Sequence, residues 1–406
     1  MADRYARPDW VRRVNAMASA SGSARHLVPI DADALIDAAR ESTGIAEYAD
    51  IGDGDWEGRL RSVVASINTS DLTVVGRLMT REELLRCLRT RLFVGAERSA
   101  DAGVADEQIV APIVVTGPAR SGTTILFELL ALDDGLRSPI ATDVLHPALP
   151  SSIDAATRLA MTESEQELWA DVQPEFAAIH ELRADLPVEC ITLTAPSFAG
   201  SHWSMVLDDP GEWMPDPVAD FAFHRAVLQS VQHGKPAKQW LLKTPAYLFM
   251  FDDLLKTYPD ASVVFTHRDP ARTMPSTVST TAMVRWIRTD NVDVPSLAEL
   301  VDLMFTAGRN TVADRHNDGT LPKQTGHVRF TELMSDPTSA IAEAYDGIGR
   351  DFTDAHRSAI TEYLANKPRG KHGRHDYTAA EWGYDEQALR AGLASYISTF
   401  GIVSES

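Results

Sequence analysis

The first residues whose types and spacing indicate chemistry lie in the segment 112–126, which reads PIVVTGPARSGTTIL. A short β-branched run predicts a buried strand, and the apolar periodicity that follows the loop predicts a helix. Between them lie Gly117, Gly122, Thr123 and Thr124. The amides of such a loop and of the first helical turn point at one spot, where the helix dipole adds partial positive charge. The segment therefore predicts an anion-binding loop.

This loop differs from the phosphate loop of ATP and GTP hydrolases. The two glycines have the required spacing and Thr124 fits the last position, but Thr123 stands where that motif has lysine. The cation of the loop is Arg120, followed by Ser121. A hydrolase without the lysine lacks its point charge on the transferred phosphoryl group. We therefore expect a different phosphate-like ligand, with a purely structural strand, turn and helix as the alternative.

Two further apolar runs end in cations. Residues 240–242 precede Lys243, and residues 262–266 are followed by His267 and Arg268. A fourth strand is expected at 327–330. Strands that alternate with helices predict a parallel α/β sheet, in which ligands bind beyond the carboxyl ends of the strands. The loop, Lys243 and Arg268 are therefore expected to meet at one edge of the sheet.

Composition limits the classes of function. The chain has 406 residues and a formal net charge of −20, which argues against general binding to nucleic acids or anionic membranes. The two cysteines lie in apolar surroundings, so neither a disulfide framework nor a zinc ligand set is expected. There is no signal-like start and no apolar run of ~18 residues, the length of a membrane span. We expect a cytoplasmic protein without a membrane span.

The chain is expected to divide into two parts. Residues 1–108 predict a mostly helical N-terminal extension, and residues 109–406 predict an α/β domain with a central parallel sheet flanked by helices. Within the extension, Thr80 and Glu83 have the spacing of a capping box that opens a helix. No chemistry is evident in this part, which is expected to form a helical wall or an oligomer surface. A homo-oligomer is left open.

Four blocks occur in a characteristic order: GPARSGTT at 117–124, LKTP at 242–245, HRDP at 267–270 followed by Ser276, and KPRGKHGRHDY at 367–377. Together they resemble sulfotransferases that use 3′-phosphoadenosine 5′-phosphosulfate (PAPS), in particular their actinobacterial branch. The resemblance implies a P-loop-like α/β fold. It also implies transfer of a sulfuryl group from PAPS to a hydroxyl of a small or partly apolar acceptor, with no required metal.

The resemblance also implies roles for individual residues. The 5′-phosphosulfate would be held by the loop residues Arg120, Ser121, Gly122, Thr123 and Thr124. Arg268 and Ser276 would hold the 3′-phosphate, and Lys243 would reach the bridging oxygen or the sulfuryl group. A basic, glycine-containing segment would close over the nucleotide, and its residues are Arg369, Gly370, Lys371, His372 and Gly373.

The general base is left open among three residues. Cytosolic relatives have a histidine where this chain has Pro245, and the bacterial branch often has Trp-Glu where this chain reads Thr-Asp143. Asp143 is a candidate, with a helix N-cap as its alternative role. His146 has a suitable pKa in general but precedes a proline. Glu189 lies beside Cys190 in an apolar segment, where a carboxylate needs a role or a partner.

The acceptor is not specified by sequence. Aromatic and methionine residues at 198–214 and 283–286 suggest a partly apolar pocket, although such residues are more often core. Lipid, phenol, sterol-like and sugar hydroxyls all stay open. The alternative functions are a small-molecule kinase with a degenerate phosphate loop and a catalytically silent nucleotide-binding protein.

Overall fold

The computed structural model describes residues 4–150, 152–178, 183–367 and 377–405. A parallel sheet of five strands, in the order β2-β3-β1-β4-β5, forms its centre. The strands are β1 Ile113–Thr116, β2 Leu136–Arg137, β3 Gln239–Lys243, β4 Ser262–His267 and β5 Thr325–Arg329. Four of them agree with the runs expected from sequence. Strand β2 has two residues, which is too short for a recognisable pattern.

Twenty α-helices surround the sheet within the described residues. Those before β1 are α1 Asp9–Ser21, α2 Ala24–Leu27, α3 Ala32–Thr43, α4 Trp56–Thr69, α5 Val74–Ala100 and α6 Gly103–Asp106. Between β1 and β4 lie α7 Thr123–Leu130, α8 Ala141–Leu145, α9 Ala155–Val172, α10 Cys190–Leu193, α11 Ser201–Val206, α12 Pro217–Gln232 and α13 Phe251–Thr257. After β4 come α14 Pro270–Trp286, α15 Val294–Asn317, α16 Phe330–Ser335, α17 Pro337–Gly347, α18 Asp354–Asn366, α19 Glu386–Gly392 and α20 Ala394–Thr399. Short 3₁₀ segments occur at Pro174–Ala178, Ala195–Ser197, Pro245–Leu248 and Ala380–Trp382.

Helices cover both faces of the sheet, which explains why its strands are apolar throughout. In β1, Val114 belongs to one buried cluster, while Ile113 and Val115 belong to another. Successive side chains of a strand point to opposite faces, so a strand with two buried faces needs an apolar residue at every position. The expected α/β architecture with a helical N-terminal region is confirmed.

The N-terminal helices pack on the rest of the chain. A third buried cluster joins Leu84 and Leu88 of α5 with Trp203 of α11 and Met283 of α14. This shared core explains why the first hundred residues form a wall of the protein. The domain boundary at residue 108 stays a prediction.

The capping box expected at Thr80 is wrong. Helix α5 begins at Val74, and the Thr73 side chain caps it by accepting a hydrogen bond from the amide of Gly76 at 3.0 Å. Thr80 lies inside the helix, where its hydroxyl donates to the Gly76 carbonyl at 2.8 Å. The same spacing of threonine and glutamate also occurs within helices. In this helix the glutamate, Glu83, pairs with Arg288 from another part of the chain.

No α-helix in the described part of the chain is long and apolar enough to cross a bilayer.

Candidate active site

The loop between β1 and α7 has an unusual backbone conformation, which restricts the residues that it can contain. Gly117 has φ +147°, and a Cβ there would lie 2.3 Å from the Thr266 hydroxyl oxygen. Arg120 has φ 66°, the left-handed region that residues with a Cβ seldom adopt. The Ser121 hydroxyl donates to the Pro118 carbonyl at 2.6 Å and contacts the Thr266 hydroxyl at 2.5 Å. Ser121 therefore holds the shape of the loop from within.

The first turn of α7 offers backbone donors. In the described residues, the amides of Gly122, Thr123 and Thr124 donate to no protein acceptor. Helix N-termini leave such N–H groups unpaired, and the helix dipole makes the same place attractive to anions. The loop therefore has the donors that an anionic ligand requires.

Arg268 follows directly after β4 and contacts the loop. Its Nη1 donates to the Arg120 carbonyl at 2.9 Å, and its guanidinium lies 3.8 Å from the centre of the Phe330 ring. Its Nε and Nη2 donate to the Glu405 carboxylate at 2.9 and 2.8 Å. The loop and an aromatic ring thus orient Arg268, and its guanidinium forms a bidentate ion pair with the Glu405 carboxylate.

Hydrogen bonds of its own backbone fix the position of Glu405. The Glu405 amide donates to the Asp269 carboxylate at 2.9 Å, and the Glu405 carbonyl accepts from Arg272 at 2.8 Å and from Arg390 at 3.2 Å. Its side chain therefore occupies the face of Arg268 where the sequence analysis placed a phosphate. No motif singled out Glu405, because nothing near it in sequence indicates an anion site.

Ser276 lies on α14, the helix that starts beside Arg268. The Asp269 side chain caps this helix by accepting from the amide of Ala271 at 3.0 Å, as the HRDP block predicts. Ser276 is fully buried, and its hydroxyl oxygen has no hydrogen-bond partner in the structure. A buried polar atom without a partner is costly. The Ser276 hydroxyl therefore has unused hydrogen-bonding capacity, although its oxygen has no accessible surface in this structure.

Lys243 is the last residue of β3 and is paired in register with Val115 of β1. Its side chain is 2% exposed, and its ammonium forms an ion pair with Glu189. The same ammonium lies 3.3 Å from the Thr124 hydroxyl oxygen at the start of α7. A buried ammonium needs such partners. Lys243 and Arg268 thus both contact the loop, one at Thr124 and the other at the Arg120 carbonyl.

A cavity of about 330 Å³ opens at this point, with Thr124, Lys243 and Glu189 in its wall. It extends between α5, α9, α11 and α14. Its apolar wall includes Met79, Leu168, Trp169, Phe176, Met205 and Val284. Parts of both stretches expected to form a pocket therefore line the cavity, whereas Trp203 is fully buried in the core.

The three candidate bases have different surroundings. Glu189 lines the cavity beside Lys243. Asp143 lies within α8, whose N-cap is Ile140, and it pairs with Arg158 at 3.3 Å. The suggested capping role of Asp143 is therefore wrong. His146 Nε2 lies 3.1 Å from Glu165 Oε1, and neither His146 nor Asp143 lines the cavity.

The basic segment expected to close over a nucleotide lies outside the described residues. It comprises Arg369, Gly370, Lys371, His372 and Gly373.

A charged cluster in the wall of the cavity was not predicted from the sequence. Its members come from α5, α9, α11 and the segment that follows α14, and they are Glu82, Glu83, Arg86, Glu165, His202 and Arg288. Glu83 accepts from Arg288 at 2.8 Å and lies 3.0 Å from His202. Burial opposes its ionisation, but His202 and Arg288 hold the pKa of Glu83 well below its usual value. In the described ranges, no group of three His, Cys, Asp or Glu side chains is arranged to hold a metal ion.

Comparison with known proteins identifies relatives of the chain. Over 293 residues the chain is 24% identical to omega-hydroxy-beta-dihydromenaquinone-9 sulfotransferase Stf3 of Mycobacterium bovis and of Mycobacterium tuberculosis, covering 68% of this chain and 71% of Stf3.

Two solved structures share the fold. Sulfotransferase STF9 from Mycobacterium avium superposes with a TM-score of 0.79 at 24% identity, over 92% of this chain and 97% of STF9. Sulfotransferase STF1 from Mycobacterium tuberculosis H37Rv gives a TM-score of 0.73 at 22% identity, over 90% of this chain and 99% of STF1. The model of the sulfotransferase family matches residues 112–354, more than half of the chain. The chain therefore belongs to the sulfotransferase family.

Proposed function

We propose that the protein transfers a sulfuryl group from PAPS to a hydroxyl of a partly apolar small molecule. The observation that carries this proposal is the convergence of the loop, Lys243 and Arg268 at one edge of the sheet, where the cavity opens. An acidic protein has no general attraction for anions, so a local group of cations there indicates an anionic ligand.

The donor would lie along this edge. In the proposal, Arg120 and the amides of Gly122, Thr123 and Thr124 hold the 5′-phosphosulfate, while Ser121 supports the loop. The bidentate donors of Arg268 and the unpaired hydroxyl of Ser276 are suited to the 3′-phosphate. Residues 369–373 would close over the nucleotide, as the resemblance implies.

The reaction would be an in-line displacement at sulfur. The acceptor oxygen forms the new bond to sulfur, and the bridging oxygen leaves with the adenosine bisphosphate. We place Lys243 at the bridging oxygen, where an ammonium stabilises the developing negative charge. Glu189 would take the proton of the acceptor hydroxyl, since its carboxylate lies in the cavity beside Lys243. A sulfuryl group carries less negative charge than a phosphoryl group, so no metal is needed to neutralise it.

The cavity supports a partly apolar acceptor. Leu168, Trp169 and Phe176 form part of its wall, and the Stf3 relatives are named for an omega-hydroxy dihydromenaquinone, which is also partly apolar. We infer an alcohol or phenol with an apolar body rather than a sugar.

Calorimetric titration with 3′,5′-adenosine bisphosphate tests the donor. We expect tight binding of this bisphosphate and at least ~100-fold weaker binding of ATP with magnesium, because the loop lacks the lysine of ATP hydrolases. Tight binding of ATP with magnesium and none of the bisphosphate would overturn the proposal in favour of a kinase.

The contact between Glu405 and Arg268 gives a second prediction. The Glu405 carboxylate competes with a phosphate for the same guanidinium, so Glu405→Gln should bind the bisphosphate about threefold to tenfold more tightly. The pair is only partly buried, which limits the effect. Glu386→Gln is the matched control, because Glu386 pairs with Arg272 and Arg390 but not with Arg268. Unchanged or weaker affinity in Glu405→Gln would show that the carboxylate does not compete.

A further inference from the structure

Helix α15 contributes a continuous apolar stripe to the wall of the cavity. The stripe residues are three and four positions apart, the spacing of one helix face, and they are Leu297, Leu300, Val301, Met304 and Phe305. At a rise of about 1.5 Å per residue, the stripe extends about 12 Å along the helix axis. It can therefore contact a chain-like molecule over much of that molecule's length.

One end of the stripe lies next to the segment that carries Lys243. The ring of Phe305 packs edge-on against the ring of Phe249, with the centroids 5.6 Å apart. Gly308, about one turn further along α15, lies so close to Leu248 that a Cβ at this glycine would be 2.9 Å from the leucine Cγ. Leu248 and Phe249 follow Lys243 within six residues, and Lys243 and Phe249 both line the cavity. Phe305 therefore marks the end of the stripe that is nearer to the reacting groups.

The stripe reaches the surface of the protein at Leu300. This residue lines the cavity and is also 37% exposed, so it lies at the rim of the cavity. It is five residues from Phe305, about 7.5 Å along the helix axis. Leu303, on the adjoining side of the same helix, is 70% exposed and does not line the cavity. The cavity thus has an apolar opening at Leu300, away from Phe305.

The two other exposed residues among the described lining residues are polar. Thr124 lies in the first turn of α7, where the proposed function places the donor. Glu82 carries a carboxylate, and an apolar chain lying against it would take water away from a charge, which is costly. An apolar chain that leaves the cavity is therefore favoured at Leu300 over these two positions.

The neighbouring wall helix, α14, does not require a polar ligand. Thr277, Thr280 and Thr281 line the cavity, and their hydroxyls donate to carbonyls of their own helix at 2.8, 2.9 and 3.0 Å. Each hydroxyl proton is thereby satisfied within the helix. An apolar chain can cover this wall without leaving a hydroxyl donor unpaired.

We propose that the stripe on α15 binds the apolar chain of the acceptor and that this chain leaves the cavity at Leu300. This inference rests on the proposed sulfuryl transfer. The acceptor class is a long-chain alcohol, or a phenol with a long apolar substituent, whose hydroxyl lies at Lys243 and Glu189 and whose far end stays outside the cavity. Leu300 then determines specificity for chain length, because only a chain that extends to it gains its contact.

A series of straight-chain alcohols tests this inference: 1-butanol, 1-hexanol, 1-octanol and 1-decanol. Their affinities are measured by calorimetry on the full chain saturated with 3′,5′-adenosine bisphosphate. We expect the affinity to rise up to about fourfold for each added methylene that becomes buried. Because the chain leaves the cavity instead of ending inside it, the affinity should level off for the longest alcohol and should not fall.

Variants at the opening test the role of Leu300. Leu300→Asn should weaken binding of 1-decanol about fivefold to tenfold, and it should change binding of 1-butanol less than about twofold, since the short chain does not reach the rim. Leu300→Ala removes apolar contact without adding a polar group, so it should give a smaller loss with the same dependence on length. Leu303→Asn is the matched control, because it changes an exposed leucine of the same helix that does not line the cavity. All affinities of the control should equal those of the wild type.

The outcomes separate this inference from the proposed function. Equal affinities across the series, binding of none of the alcohols, equal losses for 1-butanol and 1-decanol in Leu300→Asn, or equal losses in Leu300→Asn and Leu303→Asn would each overturn the role of Leu300. A sharp fall in affinity from 1-octanol to 1-decanol would overturn the exit at Leu300. Failure of the bisphosphate itself to bind, measured before any alcohol is added, would instead overturn the proposed donor.

Discussion

Glu189→Gln is expected to lower the rate of sulfuryl transfer from PAPS by about 10²–10⁴-fold, the usual contribution of a general base. Glutamine keeps the size of the side chain but cannot take the acceptor proton. The affinity for 3′,5′-adenosine bisphosphate should change little, because Glu189 lies on the cavity side of Lys243 rather than at Arg268. Single-turnover rates and calorimetry on the same preparation measure the two quantities.

The other two candidate bases supply the comparison. Asp143→Asn and His146→Gln remove groups that pair with Arg158 and Glu165 and do not line the cavity. We expect smaller losses of rate in both variants than in Glu189→Gln. Full activity in Glu189→Gln together with a large loss in Asp143→Asn would assign the base to Asp143 instead.

Arg268→Ala is expected to weaken binding of 3′,5′-adenosine bisphosphate by about 10- to 100-fold. Hydrogen bonds to charged groups contribute about 1.5–3 kcal/mol, which corresponds to that range. Arg268→Lys should lie between the wild type and the alanine variant, since lysine keeps the charge but loses the two-pronged geometry. Calorimetry gives both dissociation constants, and thermal unfolding checks that the fold is intact.

A control variant at a second arginine and a double variant test whether the loss of affinity is specific to Arg268. Arg329 ends β5 at the same edge of the sheet and pairs with Glu332, so Arg329→Ala should leave nucleotide affinity nearly unchanged. If Glu405 acts only through Arg268, then Glu405→Gln should have no further effect in the Arg268→Ala background. Equal affinity in Arg268→Ala and the wild type would remove Arg268 from the proposed site.

Much of the fold could be predicted from local sequence. Ile113–Thr116 and Ser262–His267 are runs of apolar and β-branched residues, and their burial on both faces demands that pattern. The helix starts at Pro245 and Pro270 follow from Thr244 and Asp269, whose side chains cap them. The parallel order then brings the strand ends to one edge, which is why Lys243 and Arg268 could be placed near the loop.

The charged lining of the cavity could not be predicted in this way. Glu83 has the spacing of a helix cap, yet it is buried against His202 and Arg288, which are distant in sequence. Such pairs depend on how α5, α11 and α14 pack. Hydrophobic patterning specifies which face of a helix is buried but not which charged side chains meet across the interface.

The sequence by itself determined the class of fold, the loop between β1 and α7 and the strand-end cations, because each depends on residues close together in the chain. The tertiary structure decided three other features. It placed Glu189 rather than Asp143 beside Lys243, it set Glu405 against Arg268, and it paired Glu83 with Arg288. The residues of these three pairs are 54, 137 and 205 positions apart in the chain. Only the packing of whole elements brings such residues together.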